Sequence, residues 1–117
     1  MSDILVIDDD LDIRVFLTHA LQHAGHVVIT AADGEEALGL ASNFPVDLAF
    51  IDMRMPNCDG FEVVKALNKS NPAIKKVVMS GEESLLPQME ALGADRVLPK
   101  PLSVETILST VSSLLEP

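Results

Sequence analysis

Short apolar runs alternate with amphipathic segments five times along the chain, and this alternation limits the folds available to it. The runs are rich in valine and isoleucine and too short for helices, so they indicate buried strands. They span residues 4–7, 26–30, 46–51, 76–79 and 96–98. Strands that alternate with helices in this way predict an α/β fold, in which a parallel sheet carries helices on both faces.

The first and last helical segments carry the clearest apolar stripes. In both, apolar residues recur at the i, i+3, i+4 spacing of a helix with one buried face. We expect Phe16 in the first helix and Val104 in the last to belong to these buried faces. Gly25 and Gly93 stand where helix ends favour a residue with left-handed backbone geometry.

Length and charge narrow the classes of function. The chain has 117 residues, which suits a single domain over 1–117. Its formal net charge of −10 repels phosphate backbones and anionic lipid, which argues against direct nucleic-acid or membrane binding. Cys58 is the only cysteine, so no internal disulfide can form. Together with the lack of any apolar run of membrane-spanning length, this predicts a cytoplasmic protein.

Polar residues stand at the carboxyl ends of four predicted strands. Asp8 and Asp9 follow the first strand, and Asp52 ends the third. Ser80 ends the fourth strand and Lys100 the fifth. Ligands of open α/β sheets bind outside the carboxyl ends of the strands. These residues are therefore expected to meet at one edge of the sheet and to form a site there.

The acids in this group need a partner that offsets their mutual repulsion. Two carboxylates about 4 Å apart repel by roughly 4 kcal/mol at the effective dielectric of a protein surface. A divalent cation, a nearby lysine or exposure to water could each reduce that cost. Carboxylate oxygens suit Mg²⁺, and zinc is not indicated because neither cysteine nor histidine joins the group. We therefore predict a Mg²⁺ ion between Asp9 and Asp52.

An aspartate beside such an ion can act as a nucleophile. One carboxylate oxygen of Asp52 would attack phosphorus and form an aspartyl phosphate. Phosphoryl transfer depends mainly on positioning and on neutralisation of charge, to which Lys100 would contribute. Ser80 can donate a hydrogen bond to a further phosphoryl oxygen. The prediction is thus a phosphoacceptor, Asp52, assisted by Ser80 and Lys100.

Four motifs together resemble the receiver domain of two-component response regulators. They are ILVIDDD, LAFIDMRMPNCDG, VVMSGEES and VLPKP, and the resemblance covers essentially the whole chain. It implies a flavodoxin-like fold with five parallel strands in the order 2-1-3-4-5. It also implies that a histidine kinase or a histidine phosphotransfer protein donates the phosphoryl group, and that an output partner or attached effector domain responds. Such a chain catalyses only its own phosphoryl transfer and autodephosphorylation.

The resemblance assigns a role to each site residue. Asp9 is implied as a direct Mg²⁺ ligand and Asp8 as a supporting one that often acts through water. Arg54 is implied to bind the ion through its backbone carbonyl. Ser80 resembles the hydroxyl residue that follows the phosphoryl group, and Lys100 the lysine that pairs with it.

Five further residues have expected structural roles. The Lys100–Pro101 peptide bond is implied to be cis by the resemblance. Asp10 is interpreted as a helix cap, since acids suit the first turn of a helix. His19, His23 and His26 are expected in surface or capping roles, away from the acidic edge.

The chain departs from the family pattern between Ser80 and Lys100. Val97 stands where receivers carry an aromatic residue, so the usual aromatic switch is missing, and we expect a smaller loop shift near Ser80 to signal instead. The segment is about two residues shorter than in common receivers, and Pro87 predicts a short fourth helix that starts near residue 86 or 87. Pro99 fits only an edge strand. Arg54 and Glu82 flank the pocket, and a pair between them would hinder the hydrolytic water.

Two other classes of function remain open. Phosphatases with an aspartate nucleophile need a second acid two residues later, where this chain has Arg54. A receiver-like module could instead bind its partner without phosphorylation, through its fifth helix or the altered fourth. The missing aromatic at Val97 is what favours this second alternative.

Overall fold

The sheet is parallel throughout and follows the predicted order. The protein is described here by a computed structural model that covers residues 1–55, 58–82, 84 and 86–115. Within them five strands form one sheet, and every neighbouring pair of strands is parallel. The strands are β1 (Asp3–Ile7), β2 (Val27–Ala31), β3 (Leu48–Asp52), β4 (Lys75–Ser80) and β5 (Arg96–Pro99). The predicted flavodoxin-like fold with strand order 2-1-3-4-5 is confirmed.

Helices cover both faces of this sheet. Leu17 and Leu21 of the first helix share a core with Ile107 and Val111 of the last. The second and third helices bury their apolar residues in a separate core on the opposite face. Because both faces are covered, the central strands β1 and β3 are almost wholly apolar and buried. The helices are α1 (Leu11–His23), α2 (Gly34–Asn43), α3 (Gly60–Ser70), α4 (Leu86–Ala91) and α5 (Val104–Leu115).

Two strands begin later than the sequence predicts. The structure starts β2 at Val27 rather than at residue 26, because the His26 amide donates to Leu21 O and so completes the end of α1. It starts β3 at Leu48 rather than at residue 46. Val46 packs against the core without joining the sheet ladder. Hydrophobicity alone does not distinguish Val46 from a true strand residue.

The prediction that Phe16 and Val104 lie on buried helix faces is wrong. Phe16 is 39% exposed and Val104 is 43% exposed, and both line an open groove between α1 and α5. The buried line of α1 runs through Leu17 and Leu21. Phe16, one residue before Leu17, is rotated by about 100° around the helix from that line.

The unusual prolines and glycines occupy the expected positions. Helix α4 begins at Leu86 and has only six residues, so Pro87 falls in its first turn. Pro99 ends β5, which is an edge strand. Gly25 and Gly93 have φ values of 94° and 99°, the left-handed geometry predicted for them. No helix in the described part of the chain is long and apolar enough to span a membrane.

Candidate functional site

Lys100 joins two strand-end aspartates at the carboxyl edge of the sheet. Its Nζ lies 3.0 Å from Asp8 Oδ2 and 3.0 Å from Asp52 Oδ1. Asp8 directly follows β1, Asp52 is the last residue of β3, and Lys100 directly follows β5. Residues that are 48 and 92 positions apart in the chain therefore meet in one ion-pair cluster. The Lys100–Pro101 peptide bond is cis, as expected.

Asp8 is held rigidly within this cluster. Its carboxylate is fully buried, and while Oδ2 accepts from Lys100, Oδ1 accepts a 2.9 Å hydrogen bond from the Asp10 amide. The Asp8 carbonyl accepts a 2.6 Å hydrogen bond from Arg14 Nη1. Sequence reasoning missed Arg14, because nothing in its position on α1 indicates that it reaches back to β1. Asp10 caps α1 by accepting from the Asp12 amide, which confirms its predicted role.

Asp9 completes a group of three carboxylates that suits a divalent cation. Oxygen atoms of Asp8, Asp9 and Asp52 all lie within 4.8 Å of one another. The three acids and Lys100 leave two negative charges uncompensated when all are ionised. Hard oxygen ligands and room for water are what Mg²⁺ requires, and Asp9 is exposed to solvent. The donor set therefore fits Mg²⁺, while coordination by the Arg54 carbonyl stays a prediction.

The environment of Asp52 destabilises its ionised form when no cation is bound. The residue is almost completely buried, with 6% exposure. Burial, followed by the negative charge of Asp8, raises the pKa of Asp52 from 3.8 to about 6, although Lys100 acts in the opposite direction. Burial lowers the pKa of Lys100, but its hydrogen bonds to Asp8 and Asp52 outweigh this, and the net direction is upward. Lys100 thus stays charged, whereas ionised Asp52 is costly to the fold.

Ser80 ends β4, but its hydroxyl is engaged in its own turn. The side chain is 3% exposed, and Oγ accepts a 2.9 Å hydrogen bond from the Glu82 amide. Oγ also lies 3.2 Å from the Glu82 carbonyl, to which it donates. The Ser80 carbonyl accepts from the Lys100 amide at 2.8 Å, which aligns the ends of β4 and β5. Ser80 therefore lies at the predicted edge, with its hydroxyl committed to Glu82.

Arg54 and Glu82 form an ion pair between the segments that follow β3 and β4. Arg54 Nη2 donates to Glu82 Oε2 at 2.9 Å, and Arg54 Nε contacts Glu82 Oε1. Both side chains are largely exposed, with 70% and 47% of their surface accessible. The predicted contact between the two residues is confirmed, and its effect on hydrolysis stays a prediction.

Gly60 supports the backbone of Asp52, and sequence reasoning missed this role. A Cβ atom at Gly60 would lie 2.7 Å from the Asp52 carbonyl oxygen and 2.8 Å from Met53 Cα. Only glycine allows α3 to begin this close to the end of β3. The available signal was the Asp59-Gly60 pair, in which Asp59 caps α3 by accepting from the Glu62 amide.

The remaining predicted residues lie away from the cluster. His19 and His23 are exposed on α1, as expected. Val97 is half-buried and packs against the core that contains α2 and α3. Cys58 is a buried free cysteine whose backbone and side chain contact the start of α2 at Gly34.

Known proteins with the same fold and sequence pattern are numerous. The model of the response regulator receiver domain family matches residues 4–112. The response regulator MprA of Mycobacterium sp. (strain KMS) is 37% identical over 114 residues, which are 96% of this chain and 50% of MprA. The chain thus spans about half the length of the curated relatives it matches.

Solved structures agree with the sequence matches. The chemotaxis response regulator CheY4 of Vibrio cholerae is 37% identical with a TM-score of 0.90, and the match covers 98% of this chain and 99% of CheY4. The response regulator protein TrrA of Thermotoga maritima, solved in complex with Mg²⁺-BeF, is 30% identical with a TM-score of 0.91. That match covers 98% of this chain and 100% of TrrA.

Proposed function

The chain belongs to the receiver domain family of response regulators, and we propose that it accepts a phosphoryl group from a phosphohistidine onto Asp52 with Mg²⁺ bound beside it. Receiver domains are signalling modules rather than classical enzymes. The observation that carries the proposal is the cluster in which Lys100 bridges Asp8 and Asp52, with Asp9 beside them.

The acidic cluster would hold Mg²⁺ through several oxygen ligands. Asp9 and Asp52 would coordinate directly, the Arg54 carbonyl would add a ligand, and Asp8 would act through water. The ion supplies positive charge that offsets the carboxylates and the incoming phosphoryl oxygens. The buried position of Asp8 and the exposed position of Asp9 support this division between supporting and direct ligands.

The transfer itself exchanges one bond to phosphorus for another. An oxygen of Asp52 attacks, an O–P bond forms, and the P–N bond of the phosphohistidine breaks with its electron pair left on the imidazole nitrogen. Lys100 binds Oδ1, so we assign the attack to Oδ2. Asp52 must be ionised to attack, and both Lys100 and the divalent cation favour that form.

Lys100 and Ser80 would then bind the transferred group. The Lys100 ammonium already lies beside Asp52 and is held in place by Asp8, so it can neutralise a phosphoryl oxygen with little rearrangement. The Ser80 hydroxyl would break its hydrogen bond to the Glu82 carbonyl and donate to a second phosphoryl oxygen. Autodephosphorylation by water would return Asp52 to its original state.

The partners follow from this chemistry. The donor would be a histidine kinase or a histidine phosphotransfer protein in the cytoplasm, and residues 1–117 would act as one domain. Phosphorylation would alter contacts with an output partner or with an attached effector domain. The net charge of −10 supports a protein partner over direct nucleic-acid or membrane binding.

Incubation with acetyl phosphate and Mg²⁺, followed by intact mass measurement, tests the proposal. The native chain should gain the mass of one phosphoryl group, and Asp52→Asn should gain none. Asp12 is exposed on α1, and Asp12→Asn changes the net charge by the same amount. This control variant should still be phosphorylated. If the native chain gains no phosphate, or if Asp52→Asn gains as much, the proposal is wrong.

A phosphorylation-independent interaction module is the second candidate, and Val97 is the residue that favours it. Its side chain cannot act as the aromatic switch that the family pattern implies. This candidate predicts that a partner binds native protein and Asp52→Asn equally well, before and after treatment with acetyl phosphate. The receiver proposal predicts that only the native chain changes its affinity on treatment.

A further inference from the structure

The Ser80 hydroxyl is hydrogen-bonded to two backbone groups of Glu82, the amide and the carbonyl. Oγ accepts from the Glu82 amide at 2.9 Å and donates to the Glu82 carbonyl at 3.2 Å. To donate to a phosphoryl oxygen instead, the hydroxyl has to break its hydrogen bond to the Glu82 carbonyl. Any contact that holds the Glu82 backbone in place therefore controls when the Ser80 hydroxyl can donate to a phosphoryl oxygen.

The side chain of Glu82 is anchored to the segment that carries the acceptor. Arg54 follows Asp52 by two residues, and Glu82 follows Ser80 by two. The guanidinium contacts both carboxylate oxygens, through Nη2 and through Nε. A two-point contact of this kind fixes orientation as well as distance. The Arg54 side chain thus links the segment that follows Asp52 to the turn that engages the Ser80 hydroxyl.

We infer that Arg54 and Glu82 are positioning residues whose ion pair restrains the Ser80 hydroxyl until Asp52 is phosphorylated. The inference rests on the proposed function. The aspartyl phosphate carries a charge of about −1.5 to −2 in place of the single negative charge of the carboxylate, so phosphorylation adds up to about one negative charge at Asp52, two residues before Arg54. That charge attracts the Arg54 guanidinium and repels the Glu82 carboxylate. The pair opens, the Glu82 backbone is released, and the hydroxyl turns to the phosphoryl group.

The size of the expected effect follows from the exposure of the pair. Exposed ion pairs contribute little free energy to the state in which they form. Loss of such a pair changes an equilibrium constant by about two- to fivefold. Because the pair stabilises the resting arrangement, its removal should raise the affinity for a phosphoryl analogue by that factor. The effect should act through Ser80 and vanish when the hydroxyl is absent.

Hydrogen exchange of the Glu82 amide tests the restraint in unliganded protein. This amide donates to Ser80 Oγ, so its exchange rate, measured by NMR, reports directly on the contact. Arg54→Ala, which keeps the backbone carbonyl, should speed exchange about two- to fivefold. High salt should do the same in the native chain, because it screens exposed charges. Arg96→Ala removes an exposed arginine from β5 and should leave the Glu82 amide unchanged.

Calorimetric titration with beryllofluoride and Mg²⁺ tests whether loss of the ion pair releases the Ser80 hydroxyl from the Glu82 backbone. Arg54→Ala and Glu82→Gln should each bind the analogue about two- to fivefold more tightly than the native chain. In a Ser80→Ala background, Glu82→Gln should have no effect on that affinity. An unchanged affinity in both single variants, or an equal gain without the hydroxyl, overturns the inference.

The two proposals fail in different ways. If the native chain neither gains phosphate nor binds the analogue, the proposed function is wrong. If the native chain is phosphorylated but Arg54→Ala leaves exchange at Glu82 unchanged, only the inference about the pair is wrong. Unchanged exchange overturns that inference whatever the result with phosphate.

Discussion

The ionised form of Asp52 lowers the stability of the folded protein, because its carboxylate is buried and lies beside Asp8. Its folded-state pKa of about 6 exceeds the ordinary value of 3.8. The folded state therefore binds the proton more tightly than the unfolded state does. The resulting stability is fully present below about pH 4 and is lost as the pH rises through about 6.

We predict from this that Asp52→Asn is more stable than the native chain at pH 8 in Mg²⁺-free buffer, and that the difference shrinks towards pH 4. The shift from 3.8 to about 6 corresponds to at most about 3 kcal/mol of unfolding free energy. Urea unfolding followed by circular dichroism measures it. Asp12→Asn is the control, and an equal difference between variant and native chain at both pH values contradicts the prediction.

Two partly or fully buried lysines should respond differently to replacement by methionine. Lys100 offsets two carboxylates, so Lys100→Met leaves both uncompensated and should destabilise the fold by about 1–3 kcal/mol at pH 8 without Mg²⁺. Lys76 lies at the other end of the sheet, where burial lowers its pKa. Its Nζ donates to the Ile74 carbonyl at 2.6 Å and lies 3.9 Å from Asp95.

Lys76→Met should therefore change the stability by less than about 1 kcal/mol, because the lost hydrogen bond to Ile74 is offset by the lost desolvation cost of the ammonium. The partly exposed Asp95 still accepts from the residue 76 amide. Urea unfolding at pH 8 measures both variants. The double variant Lys100→Met with Asp52→Asn should recover part of the lost stability, because it removes one of the two uncompensated acids. Equal losses for the two lysine variants would contradict this account of the site.

At the scale of elements, the close approach of α3 to β3 positions the acceptor. Gly60→Ala should destabilise the fold by about 1–3 kcal/mol, because the added Cβ would meet the Asp52 carbonyl at 2.7 Å. Gly39→Ala is the matched control, since α2 leaves open space around Gly39. It should stabilise the helix by about 0.5–1 kcal/mol. Urea unfolding distinguishes the two, and similar effects would contradict the packing argument.

The same elements show what the sequence can and cannot predict. The periodicity of the strands and the rule for parallel sheets predicted that Asp8, Asp52 and Lys100 would converge, because strand direction fixes where a strand-end residue lies. Phe16 was misplaced because periodicity identifies an apolar stripe but not its width. Gly60 and Arg14 act through contacts between elements, which local patterns do not contain. The orientation of the Ser80 hydroxyl depends on the turn at Glu82, and the sequence left it open.

At the scale of the whole molecule, bound Mg²⁺ should link the site to global stability. A ligand that binds only the folded state adds about 2.7 kcal/mol at 100 times its dissociation constant. Mg²⁺ should raise the unfolding temperature, and a chelator should reverse the rise. Because a net charge of −10 attracts any cation, NaCl of equal ionic strength is needed as a baseline.

Adjacent acids provide the matched variants for that experiment. Asp9→Asn and Asp10→Asn change the net charge equally, but only Asp9 belongs to the group of three carboxylates. Asparagine can still cap α1 at position 10, so Asp10→Asn should keep the Mg²⁺ effect. Asp9→Asn should lose most of it. Equal responses of the two variants would show that Mg²⁺ acts through general charge screening.

A crystal structure of the protein with Mg²⁺ and beryllofluoride tests the central claim most directly. We predict that the beryllium of the beryllofluoride group bonds an oxygen of Asp52 and that Asp9 and Asp52 bind Mg²⁺. Lys100 and a reoriented Ser80 should donate hydrogen bonds to fluorine atoms of the group. The account would be contradicted if beryllofluoride were bound to another carboxylate, or if Mg²⁺ were bound without Asp9 and Asp52.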